Sequence, residues 1–270
     1  MSADSDGSAL RTVARFEAER RLRTAVVAAA VLSAYGVLFV WVGPELVGGE
    51  EMQALLDAMP AVLTAMLGFE SLASLSGLLA GEYYTFGWLV GLAGYVAYST
   101  AGAVAGDVER GRMDTLLSAP VSRPTVLVGY FLALLVPIVV VNAVTAPVLY
   151  VSAVLFDATL SAERLVAFHV LSIPYLLFWA GVGLLLGSVT DRSRVAGRVA
   201  LALVFGSWLA EAVLDVTDYA WVGAVLPTRY LDPSGILVDG EYNLVAAAVL
   251  LAGTAVIVGL SRAAFARRDL

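Results

Sequence analysis

The chain has 270 residues, 60% hydrophobic and only 14% charged, with a mean hydropathy of +0.86, a net charge of -7 and a pI of about 4.7. A soluble domain holds ~45–50% apolar and ~25% charged residues, so this composition excludes an ordinary soluble domain and indicates an integral membrane protein. Cysteine and lysine are both absent, which excludes disulfides, thiolate metal sites, a Walker A loop and a Schiff-base lysine.

All 16 basic residues are therefore arginine. An acidic balance with arginine as sole cation suits a high-salt prokaryote, where screening weakens surface repulsion. Nothing in it suggests a nucleic-acid partner. Residues 1–7 are polar and expected to be disordered. Residues 10–23 carry five Arg and two Glu among Leu10, Val13, Phe16 and Leu22. They read either as an interfacial helix lying on the inner leaflet, its arginines snorkelling, or as a plain charged flank. Residues 25–42 are the first predicted span, near the lower length limit for crossing the hydrocarbon. No A-x-A-like site follows, so a cleaved signal peptide is not expected. Residues 58–81 are apolar except for Glu70 near the middle. They read as amphipathic helices on the outer face, with a seventh span as the other reading. A central carboxylate costs roughly 2.5–3.5 kcal/mol on insertion and argues against lipid exposure.

The second span is predicted at 84–106, with two small-residue ridges: Gly87, Gly91 and Gly94, then Gly102 and Gly106. Residues 105–129 follow as the most polar interruption between two apolar runs. They carry Asp107, Glu109, Arg110, Arg112, Asp114 and Arg123, then a turn bounded by Pro120 and Pro124. Met113, Leu116 and Leu117 are three and four apart, so a helix would place them on one face. A short helix with charged flanks and an apolar ridge suits docking of a cytosolic partner; a mere connection between spans is the other reading. The third span is predicted at 125–155, with Pro137 and Pro147 inside it. The fourth is at 165–189, with a Gly183–Gly187 ridge, the fifth at 199–214 and the sixth at 242–260. The fold class is thus all-α: six transmembrane helices, an N-terminal interfacial helix, and outer amphipathic helices after the first span. The transmembrane domain covers 25–262, between tails at 1–24 and 263–270.

Six spans put all 16 arginines except Arg164 and Arg229 on one side, and the positive-inside rule makes that side cytoplasmic. Both termini and the 105–129 loop then face the cytosol of a multi-pass cell-membrane protein. Chemistry inside the spans is sparse. His169 is the single histidine, so a multi-His metal site is excluded and an interfacial packing role is expected. No G-x-S-x-G elbow is present, and no enzyme activity is expected. Tyr95, Asn142 and Thr145 are polar groups within spans. They are candidates for a substrate path, although such groups more often bond between helices.

The run 107–123, DVERGRMDTLLSAPVSR, resembles the cytoplasmic loop of ABC-2-type transporter permeases, in which Glu109, Arg110, Gly111, Leu116, Leu117, Pro120, Val121, Ser122 and Arg123 fit the pattern. Residues 226–237, LPTRYLDPSGIL, and the ending FARRDL also look like that family. The family often has Lys shortly after the turn, where this chain has Gly129-Tyr130. The resemblance implies the membrane-spanning subunit of an ABC transporter. That subunit would pair as a homodimer or heterodimer with a second permease chain and engage two copies of a separate ABC ATPase, on which ATP and Mg sit. This chain would bind no cofactor itself, and transport would be export. The coupling residues implied are Asp107, Glu109, Arg110, Gly111, Arg112, Met113, Leu116, Leu117, Pro120 and Arg123. Met113, Leu116 and Leu117 would anchor in a groove of the ATPase, and Glu109, Arg110 and Arg112 would form rim ion pairs. Gly111 would allow close backbone approach, and Pro120 and Pro124 would stiffen the exit turn. A membrane scaffold or assembly factor without a transport cycle, for example in copper-enzyme maturation, is the other reading.

Overall fold

A computed structural model describes residues 2–47, 54, 58–60, 74–113 and 122–268. It is 86% helical, with no strand among the described residues. Among the described residues, six helical stretches are long and apolar enough to cross a membrane: Ala14–Glu45, Leu75–Glu109, Pro124–Leu155, Ala162–Val189, Ser193–Asp215 and Leu244–Ala266.

The first helix, α1, runs unbroken over Ser2–Leu46. No Gly or Pro lies between Gly7 and Gly36 to stop it. Residues 2–23 are thus helical and continue without a break into the first predicted span. The α2 helix spans Leu75–Glu109. The Ser74 hydroxyl caps its start by accepting a hydrogen bond from the Gly77 amide at 3.1 Å. Residues 61–73 lie outside the described residues, so the expected outer helices over 58–81 fall there in large part. Residues 75–81 belong to α2 itself.

Within α2, Leu79–Leu92 is wound as a π-helix. Its wider turn brings residues four and five apart onto one face, and Tyr83, Tyr84 and Trp88 form a fully buried aromatic wall there. Phe168 and His169 of the fourth crossing helix close the wall; the Tyr84 and Phe168 rings are 4.0 Å apart. His169 is thus a core residue, 4% exposed, bonded through Nδ1 to the Leu165 carbonyl at 2.9 Å. It packs inside the bundle, in the second turn of its helix.

The third crossing is two helices, α3 over Arg123–Ala133 and α4 over Leu135–Leu155. Pro137 explains the break. It has no N–H to offer the Ala133 carbonyl, and its ring crowds that carbonyl. Leu134 turns tightly instead, bonding to Phe131 at 3.1 Å. Three helices complete the bundle: α5 over Ala162–Val189, α6 over Ser193–Asp215 and α7 over Leu244–Ala266. Helix α5 is central, packed on α2 and α7, with α6 beside α2; α1 packs on α3 and α4.

Small residues set the α2–α5 approach. A Cβ on Gly183 would sit 2.4 Å from the Ala97 carbonyl oxygen, and one on Gly187 would sit 2.8 Å from that of Ala101. The Gly102–Gly106 ridge is not seen to meet another helix among the described residues: a Cβ on Gly102 would have open space, and one on Gly106 would meet Arg110 first. Exposed apolar side chains such as Val31 and Trp41 on α1, Phe205 on α6 and Val256 on α7 face outward, as lipid contact allows.

Candidate functional site at the arginine-rich end

The structure gathers four sequence-distant segments at one end of the bundle. Asp107 lies in the last turn of α2 and is 4% exposed. Its Oδ1 accepts from Arg112 Nε at 2.8 Å and from Arg110 Nη2 at 3.3 Å, with a second bond from Arg112 Nη2. Its Oδ2 accepts from the Tyr130 hydroxyl of α3. The carboxylate therefore holds both arginines of the turn and ties α2 to α3. Tyr130, which stands where the sequence departs from the resembled pattern, is one of its donors.

Arg110 and Gly111 end α2. Arg110 is the capping residue, and Gly111 has φ of +66°. Its amide donates to the Val108 carbonyl at 3.0 Å, the inner bond of a Schellman ending. Gly111 thus serves as the left-handed helix stop.

Glu109 reaches across to α6. Its Oε2 accepts from the Ser193 amide at 3.1 Å and from the Ser193 hydroxyl at 2.6 Å. Ser193 opens α6, whose preceding residue offers no side-chain cap. An acidic group from another helix fills that place, where an anion is favoured. Met113, expected as an anchor in the partner's groove, is 1% exposed and packs with Leu127, Tyr130, Leu184 and Phe265 of its own chain. Glu109, Arg110 and Arg112, expected on a rim facing the partner, likewise find their ion pairs and hydrogen bonds within the chain. The Arg110 and Arg112 side chains stay about half exposed, at 52% and 47%.

Leu116, Leu117 and Pro120 lie outside the described residues. Arg123 is the first residue of α3, whose start is capped by Ser122 accepting from Thr125 at 3.3 Å. Pro124, expected to stiffen the turn, is in the first turn of α3, where its missing N–H costs nothing. At the C-terminal side, Arg268 pairs with Asp191 and donates to the Ser188 carbonyl at 3.0 Å. The loop joining α5 to α6 is thereby tied to the end of α7. At the opposite end, Arg164 donates to the Leu237 and Val238 carbonyls, and Tyr242 donates to Glu163 at 3.2 Å.

Of the three candidate path residues, Asn142 and Thr145 lie one turn apart on α4 and Tyr95 lies on α2. Asn142 donates to the Ile138 carbonyl at 2.8 Å and accepts from Ser172 at 3.1 Å, bridging α4 to α5. Thr145 is fully buried and bonds its own helix at Val141. Tyr95 lines a separate groove between α1 and α2. Sequence reasoning missed the Tyr130 and Ser193 partners because they lie 23 and 84 positions away, where no periodicity connects them.

Loss of the Asp107 carboxylate is expected to loosen this end. Asp107→Ala leaves the buried Tyr130 hydroxyl without its acceptor and frees two guanidinium groups. The cost is about 1–3 kcal/mol for the buried group left unpaired. The check is a lower melting midpoint in detergent together with faster trypsin cleavage at Arg110 and Arg112. Wild-type cleavage rates would show that the carboxylate does not hold the turn.

The family model described as ABC-2 family transporter protein matches residues 25–270. No curated protein matches the chain.

Proposed function

The chain belongs to the ABC-2 transporter family, and from that premise we propose that it couples ATP hydrolysis on a separate ABC ATPase to export of a substrate. It is a multi-pass membrane permease of an ABC transporter, a transporter subunit and not itself an enzyme. Such a permease associates with an ABC ATPase. In our reading two ATPase copies carry ATP and Mg, two permease chains pair, and both termini face the cytosol.

One observation supports this most: the buried Asp107 carboxylate, holding the 107–113 segment to α3 while Glu109 holds it to α6 and Met113 joins a buried cluster that includes Phe265 of α7. A push on that segment reaches four helices at once. A surface loop with no such ties would absorb the push locally. Closure of the ATPases on ATP would then shift α2 and α3 as one body and switch access across the membrane, a rigid-body transition. Leu116 and Leu117 are the apolar pair left to seat in the ATPase, now that Met113 is internal. The half-exposed Arg110 and Arg112 heads add steering more than affinity.

The absence of cysteine makes a clean test. A single cysteine at Ser118 should react with a membrane-impermeant maleimide in inside-out vesicles and not in intact cells. The ATPase should protect it. Labelling from the outside, or no protection at saturating ATPase, would reject the reading.

A further inference from the structure

A groove of about 580 Å³ runs between α1 and α2 near the arginine-rich end. Its walls are apolar, with Val27, Val31 and Leu32 on one side and Gly91 and Leu92 on the other. Its polar lining is confined to Arg23, Thr24 and Tyr95. From Arg23 to Leu32 is nine residues of α1, or about 14 Å of helix. That is close to the ~15 Å depth of one leaflet.

A second observation lies at the same end. Arg21 is 8% exposed, and its Nε has no hydrogen-bond partner among the described residues. The carboxylate one turn away, Glu17, stabilises the Arg21 charge from a distance but makes its ion pair with Arg20 at 2.8 Å. Arg21 lies one helical turn from Thr24 and two from Ala28, both groove residues. The groups facing it from the neighbouring helices are Tyr95 on α2 and Tyr130 on α3, which bring no formal charge. A buried cation without a full set of partners is costly unless an anion completes it.

We infer that this groove holds one anionic membrane lipid, with an acyl chain in the trough and the headgroup against Arg21, Arg23 and Tyr95. The charges select the sign of the headgroup, and the apolar trough demands a chain. A second copy of the protein would have to bring a carboxylate of its own to this point. The inference needs only the membrane embedding of α1 and α2; it does not depend on coupling to an ATPase.

The test uses the full chain in mild detergent, delipidated and then titrated with phosphatidylglycerol, phosphatidylcholine or inorganic phosphate. Binding is read by native mass spectrometry and by melting midpoint. Phosphatidylglycerol should bind at one per chain and raise the midpoint, while the other two should not. Arg23→Gln removes an exposed charge that the fold does not need and should weaken binding about fivefold. Val31→Trp fills the trough from a lipid-facing position and should expel the lipid while leaving the headgroup residues in place. Equal binding of the zwitterionic lipid, or wild-type binding in both variants, would overturn the inference. So would stabilisation by phosphate alone, which would mean a simple anion site. A Val27→Cys chain that cross-links to itself after delipidation would mean that a second copy occupies the groove.

Discussion

Leu116→Asp combined with Leu117→Asp is expected to abolish permease-stimulated ATPase activity while the chain still inserts and folds. Each leucine buried in a partner's groove is an interface anchor of about 2 kcal/mol, and the two together amount to roughly a thousandfold in affinity. Aspartate adds the cost of burying a charge there. The same change costs little in the free permease if the pair faces the cytosol. The measurement is ATP turnover of the reconstituted complex against that of the ATPase alone. Undiminished stimulation in a properly inserted double variant would remove the leucines from the interface and leave the coupling proposal without its contact. Asp107→Ala serves as the comparison. It should lower the melting midpoint and loosen the segment without removing the anchors, so the two failures can be told apart.

Gly183→Leu is expected to lose most of the folded protein. The α2 backbone at Ala97 lies where a Cβ would have to go, at 2.4 Å. Backbone cannot swing aside as a flexible side chain can. The helices must separate along their whole contact, and Tyr175, which donates to the Leu89 carbonyl at 2.9 Å, loses its partner as they do. Overpacking costs about 1–3 kcal/mol where side chains can yield, so a backbone clash belongs at the upper end. Gly102→Leu is the control, since nothing lies within 4 Å of a Cβ there. Monodisperse yield in detergent should collapse for the first variant and hold for the second. Equal yields would mean that α2 and α5 do not meet as described.

The comparison of these two glycines also shows where sequence reading stopped. Both sit in small-residue spacings of the same kind, and the spacing alone suggested packing for each. Only one meets another helix, because spacing places residues on a face and says nothing of what that face touches. Gly111 was marked by its type, but its use as a left-handed helix stop depends on its backbone angle. Met113 shares its predicted face with two leucines in the sequence, and tertiary packing turns it inward into a buried cluster with Leu127, Tyr130 and Phe265.

The six apolar stretches found among the described residues, and the gathering of arginine outside the apolar runs, needed no coordinates. The hydrocarbon thickness sets the span length, and the cost of burying charge keeps arginine out of the spans. These constraints act on each stretch of chain by itself. The clamp on Asp107, the bond from Glu109 to Ser193 and the groove beside Arg21 required the three-dimensional arrangement. Each joins residues from helices whose adjacency comes from packing, and lipid tails, being as apolar as the helix faces, leave no trace of that adjacency in the hydrophobic pattern.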